Sequence, residues 1–298
     1  MEWFTPQLSD GEWIRELVGK SGYMGSDGAF ANIYLLRNKY NIKVARYKDF
    51  LIRYYQGHGS RRGYTFPLGT GDVYKAIKAI ENDAADRKIP LEYCFVTEEQ
   101  KKILSEIYGS SMKFDSDDGD RDYVYLQQDL ANLSGKAYHK KKNHISKFIR
   151  SYPDMEFYEI GDNNIEDARV VEDAWYYDHL QSEDDSALIE FAAIKDALDN
   201  FEELKLSGGI IYVNHVPVSM TIASKINDDV WDIHFEKSIG EYASNGGFAA
   251  INQMFAKRLN SATWINREED INIEGLRKAK ESYHPKMMLK KYSAKEVI

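Results

Sequence analysis

The chain has 298 residues, 43% of them hydrophobic, enough for a sizeable core in one large domain or two ordinary ones, so disorder is excluded as its default state. A formal net charge of -9 argues against a generic nucleic-acid coat, and the single cysteine, Cys94, rules out an intramolecular disulfide, as expected in a reducing compartment. No apolar run reaches about 18 residues and no basic-then-apolar leader opens the chain, so a protein without membrane spans, working in the cytoplasm, is expected.

Residues 31–36, 42–47 and 50–55 are predicted as strands of an antiparallel meander. A Pro/Gly loop then opens a helix on which Val73, Ile77 and Ile80 share a face. A strand follows at 91–96, and its string YCFV places Cys94 in the core, away from the polar settings of reactive thiols. Beyond the acidic loop DSDDGDRD, 123–126 reads as a strand and 133–150 as a helix ending at Ser-Tyr-Pro. The second half repeats the order. It offers a strand at 155–160, helices at 165–179 and 187–201, and a hairpin of 210–213 with 218–224 around Asn214 and His215. A strand at 230–235, Gly246 and Gly247 ahead of a helix at 248–259, a strand at 262–265 and a helix at 273–283 complete it. This recurrence predicts a tandem duplication of structure without a letter-by-letter repeat. The expected division is an N-terminal module at 1–133, a basic connecting helix at 134–152 and a C-terminal module at 153–298 that carries the cleft.

Charge is uneven along the chain. Residues 151–203 hold 17 acidic and 2 basic side chains, whereas 134–150 hold 6 basic and none acidic, a cationic surface for a phosphate-rich ligand. On that helix Lys136, Lys140, Asn143 and Lys147 share one face, which would follow a phosphate backbone or serve as the solvated side of a linker. Lys141 falls among Ala137, Tyr138, Ile145 and Phe148, so it must snorkel, pair or enter a pocket.

The densest stretch is 264–292, WINREEDINIEGLRKAKESYHPKMMLKKY. Its helix aligns Arg277, Lys280 and His284 on one face and Leu276, Ala279 and Tyr283 on the next. Arg267, Arg277 and Lys280 suit a phosphate or carboxylate, Glu268 or Asp270 an amino group or the role of base, and Tyr283 or His284 a proton transfer. The same basic residues would equally form a solvated face paired with Glu274 and Glu281. His234 sits on the strand before the glycine loop, either in a cleft or as an inward polar residue. His139 and His144 lack the i, i+4 spacing of a metal pair and no compact His/Cys/carboxylate set occurs, so no metal site is predicted.

The segments YVYLQQDLANLSGKAYHKKKNHISKF and INREEDINIEGLRKAKESYHP resemble the signature segments of the family related to the C-terminal domain of phosphatidylglycerol lysyltransferase, over most of the chain. The resemblance implies an α/β protein of α+β type: two tandem GNAT-like modules, each a mixed, largely antiparallel sheet flanked by helices. It also implies transfer of an acyl or aminoacyl group, since membrane-anchored members move an amino acid from aminoacyl-tRNA to a lipid. The membrane-spanning region is absent here, which leaves the acceptor open between a lipid and a small molecule. A GNAT fold usually holds the CoA pyrophosphate on a loop patterned R/Q-x-x-G-x-G/A. Residues 244–249, SNGGFA, keep only the G-x-A ending, so Gly246 and Gly247 are the candidate cofactor contacts and no cofactor is firmly implied. Acyl-CoA and aminoacyl-tRNA both stand as donors, with tRNA docking through the basic helix. Other readings are a non-catalytic module binding an amino acid, nucleotide or tRNA end, and a duplicated scaffold that mediates assembly.

Overall fold

The computed structural model describes residues 1–179 and 186–297. Helix α1 (Gly11–Ser21) buries Ile14, Leu17 and Val18 and stops at Gly22, whose left-handed φ of 66° costs a glycine little. Helix α2 (Phe30–Leu35) stands where a strand was expected at 31–36. Its run is almost wholly apolar, so periodicity does not discriminate, and five of its six residues are buried between the sheets. Strands β1 (Lys43–Tyr47), β2 (Phe50–Gln56), β3 (Arg62–Thr65) and β4 (Leu68–Gly69) make the first meander. Then come α3 (Val73–Arg87), β5 (Glu92–Val96), α4 (Glu98–Tyr108), β6 (Met112–Asp115), β7 (Asp122–Leu126) and α5 (Gln127–Asn132). The basic helix α6 (His139–Ser151) starts later than expected, because Leu133 and Gly135 take positive φ and residues 136–138 form only a 3-10 turn.

The second half contains β8 (Glu156–Glu159), α7 (Ile165–His179), α8 (Ser186–Asp199), β9 (Ser207–Val213), β10 (Val216–Asn227) and β11 (Val230–Ser238). Asn214 and His215 both have positive φ, as the tight turn between β9 and β10 requires. There follow α9 (Gly240–Ser244), α10 (Gly247–Ala256), β12 (Trp264–Asn266), α11 (Glu274–Glu281), β13 (Met287–Leu289) and β14 (Tyr292–Glu296).

Among the described residues two seven-stranded sheets result, ordered β1-β2-β3-β5-β14-β6 with β4 on β2, and β13-β7-β12-β11-β10-β9-β8. Among the described residues each has one parallel pair, β3 with β5 and β11 with β12, joined through α3 or α10, and the other described pairs are antiparallel. The fold is the tandem GNAT arrangement. The sheets do not divide at residue 133. Strand β7, from the first half, lies between β12 and β13, and β14, from the end of the chain, lies between β5 and β6, a reciprocal exchange. Backbone pairing joins residues that the linear order separates.

The largest core combines α1, α2, α7 and α8 with Val44, Leu51 and Cys94 of the first sheet and Met220, Ile222 and Ile226 of the second. Ala223, Ile233 and Ile265 pack with α5, α6 and α10. Chain segments that meet between the sheets therefore come from both modules, and there the polar residues converge.

Candidate functional site

Strands β11 and β12 pair only from Val230 opposite Trp264 to Asp232 opposite Asn266. Past that point β11 continues to Ser238 while the chain leaves β12, and a gap opens between them. A bulge against β10 sets Ile222 opposite Phe235 and Ala223 opposite Ile233, leaving His234 as the extra residue. Bulges re-aim side chains, and His234 reaches across the gap, its Nδ1 lying 3.2 Å from Glu268 Oε1. Its Nε2 lies 2.8 Å from Ser224 Oγ. From α2, Asn32 Nδ2 donates to Glu268 Oε1 at 2.8 Å and to Asp232 Oδ2 at 3.1 Å.

Glu268 has φ of 57°, left-handed for a residue with a Cβ, a strain on the order of 1 kcal/mol that neighbours must hold. Its N–H donates to Asn266 Oδ1 at 2.7 Å, and its carbonyl accepts from the Tyr123 N–H at 3.2 Å. Lys280 donates to the Arg267 carbonyl at 2.6 Å and to the Glu269 carbonyl, the two that bracket Glu268. Burial lowers the Lys280 pKa, against the pull of Glu268 and Glu269. The ammonium thus fixes the loop that presents the carboxylate.

Burial, and then the charge of Glu268, push the Asp232 carboxyl well above the usual range. Two carboxylates this close ionise together only at high cost, and the fully buried one is the harder to ionise. Glu268, with a quarter of its side chain exposed, is the member of the set that an incoming molecule can touch. Asp232, His234 and Glu268 also bring one ligand atom each within 4.8 Å, a trio that the sequence did not show because Glu268, in the loop after β12, is far along the chain from Asp232 and His234 of β11. The Asn32 amide already donates to both carboxylates, so a cation would have to displace it.

Beneath this set lies a second buried cluster. Lys291, between β13 and β14, donates to Asp122 Oδ1 at 2.6 Å and Ser26 Oγ at 3.0 Å and stands 3.4 Å from Asp27. Asp122 Oδ2 also accepts from the Ser26 N–H and from Asn266 Nδ2. Asp27 is paired with Arg53 at 2.9 Å. Burial by itself would lower Lys291, but Asp122, Asp27 and Glu269 outweigh it and hold the ammonium charged. For Glu269, burial raises the pKa while Arg61, at 2.7 Å, and Lys291 win and hold it at about 2. Since an unfolded Glu titrates near about 4.3, this pair's stabilisation is complete above that pH and is lost as pH falls towards 2. Glu269→Gln should therefore lower the urea midpoint at pH 7 and flatten its decline through that acid window. An unchanged pH profile would remove Glu269 from the account.

The residues singled out in the sequence are divided by the structure. Asp270 is fully buried and accepts from Tyr123 OH at 2.6 Å, from the Asn272 N–H and from two Arg277 nitrogens at 2.9 Å. Burial would raise its pKa, but these donors hold it below the usual value, and the pair pins α11 to β7. Arg267 is paired with Glu236 and lies 4.8 Å from the centre of the Tyr283 ring. Lys141 is half-buried, its ammonium 3.8 Å from the same ring. Desolvation and then Arg267 lower it to about 8. Tyr283 is buried, which pushes its hydroxyl upward in pKa. His284 lies past the end of α11, exposed, with Nε2 3.2 Å from the Ala137 carbonyl. Lys136, Lys140 and Asn143 are exposed. At Gly246, φ is 108° and an added Cβ would strike the His144 carbonyl of α6; at Gly247 it would strike Ser238 Oγ. Close packing of α6 and β11 accounts for both glycines.

The sequence profile of the family described as phosphatidylglycerol lysyltransferase, C-terminal, matches residues 20–295. The chain belongs to this family. A crystal structure of a conserved protein of unknown function from Bacteroides thetaiotaomicron is 34% identical, with 100% of each chain covered and a TM-score of 0.93. The C-terminal domain of a candidate lysylphosphatidylglycerol synthetase from Agrobacterium fabrum superposes at a TM-score of 0.70 with 12% identity, covering 98% of this chain and 93% of that one. L-PGS from Bacillus licheniformis does so at 0.67 with 14% identity, covering 96% and 92%. At these identities the last two establish the shared fold alone. No match was found among curated proteins. Among the described residues no helix is long and apolar enough to cross a membrane.

Sequence reasoning missed Asn32, Asp122, Ser224, Asp232 and Lys291, and kept His234 only as an alternative. Asn32 lay in a predicted strand, and Asp122 closed an acidic loop whose other aspartates offered no contrast in sequence. Lys291 was inside the dense C-terminal stretch, where nothing separated it from Lys290. In the extended backbone neighbours point to opposite sides, and only Lys291 is buried.

Proposed function

We propose that the chain transfers an aminoacyl group from an activated ester to a nucleophilic acceptor, at the gap between β11 and β12. The observation that carries this reading is Glu268: a partly exposed carboxylate held in a strained loop, backed by His234 and by the buried Asp232. An ester is already activated, so the protein need only align the acceptor and remove its proton. The acceptor's N–H or O–H gives its proton to Glu268 as its lone pair attacks the ester carbonyl; the alcohol of the donor then leaves and takes up a proton. His234 orients the carboxylate through Nδ1. Membership of the family supports the aminoacyl class of substrate.

Aminoacyl-tRNA is the donor we favour, because Lys136 in the turn before α6 and Lys140 and Lys147 on α6 are all exposed. An acyl-CoA donor has less support, since Gly246 meets the backbone of α6. The decisive experiment follows radiolabelled amino acid from a mixed pool of charged tRNA into cell extract, with acyl-CoA donors in parallel. Labelled product with charged tRNA alone is the expected result; product with acyl-CoA alone would reverse the choice of donor. The docking face has its own check: log affinity for tRNA should fall linearly with log salt, by about 0.7 per phosphate contacted, and a complex indifferent to salt would remove α6 from the interface.

A further inference from the structure

A separate, open-sided cavity of about 770 Å³ lies between α1, the start of α2, the end of β10 and residues 204–205. Phe30, Leu204, Ile226 and Trp231 give it apolar walls, and Ser224 and Arg15 contribute polar ones. Three buried side-chain atoms of this lining have no hydrogen-bond partner among the described residues: Arg15 Nε, Arg15 Nη1 and Trp231 Nε1. All three are donors.

Arg15 is half-buried, and two of its three guanidinium nitrogens have lost their hydration without a protein acceptor to replace it, which is costly. Nearby acids do not remove the deficit. Glu16 is tied to Lys20 at 2.5 Å, and Asp228 faces Lys225 at 3.8 Å. The Arg15 guanidinium lies 4.9 Å from the Phe30 ring centre, a contact that uses its flat face and leaves the in-plane N–H groups unmatched. Burial lowers the Arg15 pKa, with Glu12 opposing. The missing partner is therefore an acceptor, and the charge calls for an anion.

We propose that this cavity binds a small molecule joining an oxyanion, carboxylate or phosphate, to an apolar body. The oxyanion accepts from Arg15 and Trp231, and the body lies against Phe30 and Leu204. Arg15 precedes residue 20, where the family match begins, whereas Phe30, Leu204 and Trp231 lie within it. Ser224 in the wall contacts His234 Nε2 at 2.8 Å, which places the occupant one side chain from the His234–Glu268 pair. Binding here does not require the transfer reading to hold.

Calorimetric titration of the full chain with phenylacetate, phenyl phosphate and neutral phenylacetamide tests it. Saturable binding of at least one anion is expected with a Kd near about 1 mM, and the tighter of the two assigns the oxyanion. The amide should bind roughly tenfold more weakly or not at all, and Arg15→Gln should weaken the anion by about tenfold while leaving the amide unchanged. Trp231→Phe, which removes one N–H and keeps the wall, should weaken the anion by about threefold and serves if Arg15→Gln does not fold. The proposal is overturned if neither anion binds by about 10 mM, if anion and amide bind alike, or if a folded Arg15→Gln variant binds the anion as the parent does.

Discussion

Glu268→Gln is expected to reduce aminoacyl transfer by about 10²- to 10⁴-fold, the range for loss of a general base, with little change in the unfolding midpoint. The amide keeps the shape of the side chain and an oxygen to accept from Asn32 at 2.8 Å, but it no longer takes a proton. Stability should hold or rise slightly, because the substitution removes the charge that, after burial, opposes ionisation of Asp232. The loss should fall on kcat with KM for the donor nearly constant, and the variant should lose the limb of the pH–rate profile that reports the base. Transfer within a few-fold of the parent would exclude Glu268 as the base and move attention to His234.

Lys291→Met should have the largest effect on stability, a loss of about 3–5 kcal/mol, because it leaves buried Asp122 and Asp27 without their shared cation. In a domain of this size that corresponds to a fall in Tm of roughly 6–20 °C. The native Lys291 pKa is raised, so its stabilisation is complete below the unfolded lysine value near about 10.4 and is lost only as pH rises through the folded value. The deficit should accordingly be flat around neutrality. It should shrink in acid, where the orphaned carboxylates of the variant take up protons. Adding Asp122→Asn should recover part of the loss, a coupling that a double-mutant cycle in urea measures. A single variant as stable as the parent would show that the cluster is hydrated and the ion pair dispensable.

Much of the fold was legible because its rules are local. Val73, Ile77 and Ile80 define α3, paired left-handed residues at Asn214 and His215 make the β9–β10 turn, and the apolar string around Cys94 is a buried strand. The expected strand at 31–36 failed because a run buried on nearly all sides has no periodic signature. The exchange of β7 and β14 left no local trace, since pairing between strands depends on which edges meet after collapse.

The candidate site divides in the same way. Glu268 and the stretch around it stood out for composition, and Lys141 stood out as a charge on an apolar face; both side chains are partly buried. Whether a charged residue anchors a loop or faces a substrate is not written in its type. Asp270 and Glu268 are two residues apart, yet one is saturated by Arg277, Tyr123 and Asn272 while the other opens to the gap. The sequence by itself determined most of the element types and the tandem organisation, because periodicity, turn chemistry and motif are properties of neighbouring residues. Only the tertiary structure decided which polar groups lose water and which partners replace it, because Asn32, Asp122, Asp232, Glu268 and Lys291 meet through packing of distant strands.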